Sequence, residues 1–274
     1  MNKKSKNSLV ILTECSIMVA LASVLSLCKL FEMPYGGSIT LCSMLPIVII
    51  AYRHGTMVGV AAALAESAIQ LLLGLSYFSY FTTWQSVVVL GVFDYVLAFT
   101  VFGLCGLIRP IVKDQMKAMA LGGFSASFLR YVCHVISGAT VWAGLSIPTK
   151  AALLYSLSYN ATYMIPESII LVLSCIYVGG ALDFTGRIPK RRVMAKQEPA
   201  AAYCALGAGL AAICTLAADT VLVFSKLQNA DSGEFFIGGL AEVNWLAVII
   251  VTIVGALVGA SLLLVQRHIA KRAA

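Results

Sequence analysis

Apolar residues run along this chain in long blocks separated by short polar segments. A helix crosses a bilayer with about 20 predominantly apolar residues, and blocks of that kind recur from one end to the other. The pattern predicts spans at 9–31, 39–52, 55–74, 87–108, 118–143, 152–179, 201–225 and 243–266, eight in all. The block at 39–52 is short, about 14 residues at 1.5 Å rise, so the preceding segment Tyr35, Gly36, Gly37 and Ser38 is expected to dip inward and complete the crossing. The first block follows Lys3, Lys4 and Lys6, as a secretory signal does. Its 23 residues carry no small-residue cleavage pattern, and it reads as a helix of the mature protein. The fold class expected is an all-α polytopic membrane protein.

Composition agrees with the pattern. Of 274 residues, 60% are apolar and 11% charged, against roughly 25% charged in soluble domains, and the mean hydropathy is +0.93. The net charge of +7 changes the picture only through its placement. Lys3, Lys4, Lys6, Arg53, Arg109, Lys113, Lys117, Arg187, Lys190, Arg191, Arg192, Lys196, Arg267, Lys271 and Arg272 fall on one side, which is 15 of the 19 Lys and Arg. The other side has Lys150 and Lys226, while Lys29 and Arg130 fall within spans. Positive charge stays on the cytoplasmic side during insertion, so both termini are expected in the cytoplasm of a bacterial cell membrane. The excess of cations thus records topology and implies no nucleic acid.

Several chemistries find no support in the sequence. The eight cysteines are scattered without C-x-x-C spacing and read as small apolar fillers, so no metal site and no cofactor are expected. There is no phosphate-binding G-x-x-x-x-G-K-[ST] loop, no G-x-S-x-G elbow and no H-E-x-x-H helix, and the chain is not expected to be an enzyme.

The informative residues are polar ones inside the apolar blocks, because a charged side chain at mid-bilayer costs about 2.5–3.5 kcal/mol and needs a partner, a cavity or a function. They are Glu14, Glu66, Asp94, Arg130, His134, Asn160, Glu167 and Asp219. Arg130 and His134 are four apart and share a helix face with Gly138 and Trp142; Ser156, Asn160, Tyr163 and Glu167 share another, with Tyr155 and Tyr159 nearby. Together with Asp94 and Tyr95 they describe a pocket open to the outside, suited to a flat heteroaromatic cation that stacks on an aromatic ring. Each has a plainer reading. Arg130 can serve as structural glue paired with Glu167 or Asp94, and Trp84 and Trp142 as interfacial belt residues. Glu66 with Gln70, Asp219 and Glu14 read as structural pairs.

Three stretches carry a family resemblance: Met33-Pro34-Tyr35-Gly36-Gly37-Ser38 leading to Met44-Leu45-Pro46; Arg130-Tyr131-x-x-His134-x-x-Ser137-Gly138; and Tyr155-Ser156-x-x-Tyr159-Asn160-Ala161-Thr162-Tyr163-Met164-x-Pro166. With Phe93-Asp94-Tyr95, they resemble the thiamine-specific substrate-binding (S) component of energy-coupling-factor (ECF) transporters. The resemblance implies a six-helix core over 1–180; the chain departs from the family in a basic cytoplasmic linker over 181–200 and two additional transmembrane helices over 201–274, which the family's core does not need. It implies thiamine as ligand, and as partners a transmembrane coupling subunit and two cytoplasmic ATPases. Asp94, Tyr95, His134, Trp142, Tyr155, Asn160 and Trp84 are then the expected ligand contacts, and Tyr35, Gly36, Gly37 and Ser38 the expected gating loop. Ser16, Ala20 and Ser23 form a small-residue stripe expected to dock the coupling subunit. A proton-coupled secondary transporter using Asp94, Glu66 or Asp219, and a membrane enzyme using His134 with a serine, are the competing classes. An S component for a thiamine precursor or another vitamin is a further alternative.

Overall fold

The structure is a computed structural model and describes residues 3–33, 36–81, 83–141, 150–192, 199–227 and 237–273. The chain divides into two compact units, Met1–Arg191 and Arg192–Ala274. The first unit holds helices α1 (Lys3–Leu27), α2 (Leu45–His54), α3 (Thr56–Leu73), α4 (Trp84–Leu107), α5 (Gln115–Val141) and α6 (Lys150–Ala181). It also holds a hairpin of β1 (Lys29–Glu32) with β2 (Ser38–Thr40) and a smaller one of β3 (Leu182–Asp183) with β4 (Lys190–Arg191). The second unit is α7 (Pro199–Leu227) and α8 (Trp245–Ala273).

Among the described residues, seven helices are long and apolar enough to cross a membrane, and Leu45–His54 is a shorter apolar one. Of the eight crossings expected, seven are thus full-length helices and the second, expected to be short, is a half-length one. The first span ends at Leu27 rather than 31, and Lys29–Glu32 instead pairs as a strand with Ser38–Thr40. Lys29 consequently lies in an exposed ion pair with Glu32 at 2.6 Å and not inside a span.

Ten residues of α2 reach only about 15 Å, roughly half a hydrocarbon core. The β1–β2 hairpin supplies the rest, with Met33, Ile39 and Thr40 buried. Non-helical backbone is tolerated at such depth only when protein surrounds it. α2 is apolar all round, and Leu45 through Tyr52 are buried, as expected of a helix enclosed by its neighbours. Around it, α1, α3 and α4 expose Leu12, Ile17, Leu72 and Leu104, the pattern of a lipid-facing surface.

Glycines let α2, α3 and α4 approach closely. A Cβ on Gly59 would stand 2.7 Å from the Ala51 methyl, one on Gly106 2.6 Å from the Thr56 amide nitrogen, and one on Gly103 would overlap the Val60 backbone. Because backbone cannot swing aside as a side-chain tip can, Gly103→Val is expected to cost about 3 kcal/mol or more, the upper range of overpacking. Thermal unfolding in detergent checks this against Gly209→Val, where a Cβ meets nothing within 4 Å.

Polar groups join the helices at two levels. Glu66, wholly buried, accepts from the Ser23 hydroxyl and the Gln70 amide, both at 2.7 Å, and Gln70 also donates to Ser26 at 2.7 Å, so α1 is tied to α3. The expected Glu66–Gln70 pair is thus part of a four-residue network. At the end of the bundle rich in cations, Arg53 and His54 engage Glu14, and Arg109 donates to the carbonyls of Tyr52 and Arg53 at 2.9 and 2.8 Å. Buried Gln115 clamps the end of α6 there, donating to Gly179 and Leu182 carbonyls and accepting from the Phe184 amide. In the second unit, Thr252 on α8 donates to Asp219 on α7 at 2.8 Å.

Candidate functional site

The site begins with an irregular turn. Within α4 the stretch Gly91–Leu97 is π-helical, a widened turn that loosens the backbone and is frequent at functional sites. Within it the Tyr95 carbonyl accepts from the Ala98 amide and from the Ser67 hydroxyl of α3, the latter at 3.1 Å. The turn also separates two neighbouring side chains. Asp94 faces α5, whereas Tyr95 turns towards the α3–α4 connection, stacking on Phe78 at 5.7 Å and donating to the Gly74 carbonyl at 3.4 Å.

α5 meets Asp94 with two groups one turn apart. His134 Nδ1 lies 2.9 Å from Asp94 Oδ1, and the Ser137 hydroxyl donates to Oδ2 at 3.0 Å. One turn further along, the Arg130 Nε donates to His134 Nε2 at 3.2 Å. The Arg130 guanidinium lies 3.6 Å from buried Glu167 on α6 and 4.4 Å above the Phe99 ring, and Glu167 accepts from Thr40 on β2 at 3.0 Å. A chain of charged and polar groups therefore runs from α4 through α5 and α6 to the hairpin, between apolar surfaces where such interactions are strong.

α6 forms the opposite wall. Gly138 allows α5 and α6 to close on each other, since a Cβ there would overlap the Ser156 hydroxyl. Asn160 donates to the carbonyls of Ser156 and His134 at 2.9 and 3.3 Å and accepts from the Tyr163 hydroxyl at 2.7 Å. The Tyr163 ring stands edge-on to His134 at 6.2 Å and to Tyr159 at 6.1 Å, and Tyr159 stacks on Tyr155 at 6.1 Å.

The hairpin covers these rings. Gly36 and Gly37 have φ of 90° and 85°, a region that favours glycine, and a Cβ on Gly37 would stand 2.6 Å from the Tyr163 ring. Tyr159 donates to the Gly36 carbonyl at 2.7 Å, and Tyr77 donates to Glu32 at 2.9 Å. The hydrogen bond from Lys29 holds the Glu32 carboxyl below its usual range, while burial, with Glu32 alongside, pushes the Tyr77 hydroxyl up to about 12. Tyr77 thus remains a donor at neutral pH. A depressed carboxyl contributes above its unfolded value, so this pin is lost only as pH falls through the lowered Glu32 value.

The expected site residues divide accordingly. Asp94, His134 and Asn160 are brought together, with Tyr155 two rings away through Tyr159 and Tyr163. Tyr95 is turned to the other side of α4, and Trp84 is 72% exposed at the start of that helix, where an interfacial anchor sits. Trp142 and Tyr35 lie outside the described residues. Of the α1 stripe, Ser16 and Ala20 are exposed, but Ser23 is engaged with Glu66. Thr40 and Ser137 were not expected in the site; Ser137 is three residues beyond His134 and so on its face, whereas nothing local distinguishes Thr40.

Comparison with known proteins places this geometry in context. Residues 12–182 match the family model described as thiamine transporter protein. The chain is similar to the thiamine transporter ThiT of Bacillus subtilis (strain 168), 32% identical over 173 residues that cover 59% of this chain and 86% of that protein. A solved structure of ThiT from Listeria monocytogenes superposes with a TM-score of 0.50 at 23% identity, covering 63% of this chain and 94% of that one, a likeness of fold.

Proposed function

From its membership of the thiamine transporter family, to which this multi-pass membrane chain belongs, we propose that residues 1–191 bind thiamine at the Asp94–His134 site and serve as the substrate-binding component of an ECF-type importer. The observation that carries the proposal is the half-buried carboxylate of Asp94, held by His134 and Ser137 beside Tyr163 and beneath a glycine hairpin. A carboxylate in so apolar a place is costly unless it meets a cation or donors, and thiamine carries both a thiazolium and an amino group. Tyrosine faces add a cation-attracting wall.

The cation-rich end around Arg53 and Arg109 is the cytoplasmic end on this reading, in the plasma membrane of a bacterium, with both termini on that side. The hairpin end then faces outside, and thiamine enters where Gly36 and Gly37 give way. Since the sequence has no phosphate-binding loop, ATP hydrolysis belongs to separate cytoplasmic subunits acting through a transmembrane coupling subunit. The exposed face of α1 bearing Ser16 and Ala20 is offered as part of the docking surface.

Titration of the purified full chain with thiamine, followed by tryptophan fluorescence, tests the reading. The expected dissociation constant is below about 1 μM, corresponding to more than roughly 8 kcal/mol. Thiamine monophosphate is expected to bind at least about tenfold more weakly, because Arg130, the cation of the site, is committed to Glu167 and Phe99. Thiamine affinity weaker than micromolar, or a preference for the phosphate ester, defeats the proposal. Proton-driven uptake by vesicles holding this chain alone would instead favour a secondary transporter.

A further inference from the structure

The contacts around His134 decide which of its nitrogens carries a proton. Arginine has donors and no acceptor, so the Arg130 Nε, 3.2 Å from His134 Nε2, can only donate. Nε2 must then offer its lone pair, and the ring's single proton lies on Nδ1, 2.9 Å from Asp94 Oδ1. We infer that Arg130 is a positioning residue: it fixes His134 as the Nδ1–H tautomer, bars a proton from Nε2, and so preserves the full negative charge of Asp94 for the ligand.

The alternative state explains why this matters. A doubly protonated His134 would form an ion pair with Asp94 and cancel the charge that a cationic ligand meets. Arg130 is itself held in place for this task. Glu167 lies 3.6 Å from one side of the guanidinium, the Phe99 ring lies beneath it, and Thr40 donates to Glu167 from the hairpin. The other titratable groups near the ring are Asp94 from α4, Cys133 on α5 itself, and Tyr163 from α6. Of these only Asp94 carries a charge that would welcome a protonated ring, and Arg130 opposes it from the other nitrogen.

The inference rests on the thiamine reading for its consequence but not for the tautomer, and two readouts keep them apart. The first is the thiamine dissociation constant between pH 7.5 and 5.5 for wild type, Arg130→Lys and the pair Arg130→Met/Glu167→Gln, in which no carboxylate is left buried without its cation. Wild type is expected to change by less than about twofold beyond any change in the ligand itself, and Arg130→Lys to follow it because a cationic donor is retained. The double variant is expected to lose a further factor of about ten towards pH 5.5, because nothing then keeps a proton from Nε2. The second readout is ¹⁵N NMR of the ligand-free full chain labelled at its three histidines, His54, His134 and His268, with His134→Gln identifying the resonance. His134 is expected as the Nδ1–H tautomer across this range in wild type, and as imidazolium at low pH in the double variant. Parallel pH profiles in all three proteins, or a wild-type His134 that is Nε2–H or titrates in this range, would overturn the inference. If wild type fails to bind thiamine, the ligand reading falls alone, and the wild-type spectrum still decides the tautomer.

Discussion

Asp94→Asn is expected to weaken thiamine binding by about 100-fold or more, roughly 2.8 kcal/mol at 1.4 kcal/mol per tenfold. The substitution keeps shape and removes charge, so the loss separates electrostatics from packing. It also replaces an acceptor-only group by an amide. Two donors converge on Asp94, His134 Nδ1 at 2.9 Å and the Ser137 hydroxyl at 3.0 Å, and an amide nitrogen cannot accept from either. The site would therefore lose its charge and one of the two acceptors that meet His134 and Ser137. Fluorescence titration gives the affinity, and thermal unfolding of the same sample reports the fold, which should be little altered because the side chain bridges only α4 and α5. Binding within about threefold of wild type would show that Asp94 is not the ligand's counter-charge.

The second large effect is on stability. Glu167→Met is expected to destabilise the protein by about 3–5 kcal/mol, because it strands the Arg130 guanidinium among apolar surfaces with its carboxylate gone. Arg130 and Glu167 are 9% and 6% exposed, so neither reaches solvent to compensate. Removing both charges in Arg130→Met/Glu167→Met should restore much of the loss, since replacing a whole buried ion pair by apolar residues is often neutral. Glu167→Gln should cost less than Glu167→Met, because the amide oxygen can still accept from Thr40. Denaturant unfolding in detergent measures all three. A double variant no more stable than Glu167→Met would mean that the pair does not act as a unit.

The apolar blocks were legible because a bilayer leaves a chain few options. About 20 apolar residues in a helix satisfy every backbone group, so length and hydropathy announce α1, α3, α4, α5, α6, α7 and α8 without any knowledge of packing. Where protein rather than lipid surrounds the backbone, that rule loosens and the reading slips. Lys29–Glu32 became strand rather than helix by pairing with Ser38–Thr40, whose Ile39 and Thr40 are buried, and Leu45–His54 stayed at half length. Likewise Arg130 and His134, four apart, announced a shared face on sequence spacing alone.

What the sequence determined by itself was thus the membrane-spanning class, the positions of the long helices, and the few polar residues too costly to be there without purpose. Tertiary structure alone decided how those residues pair. Arg130 could have taken Asp94 or Glu167; it took Glu167 at 3.6 Å and left Asp94 to His134 and Ser137. The 127 residues separating Thr40 from Glu167 likewise hide their contact from any local pattern. Partner choice depends on helix phase and on distances between segments remote in sequence, and those are set only when the bundle closes.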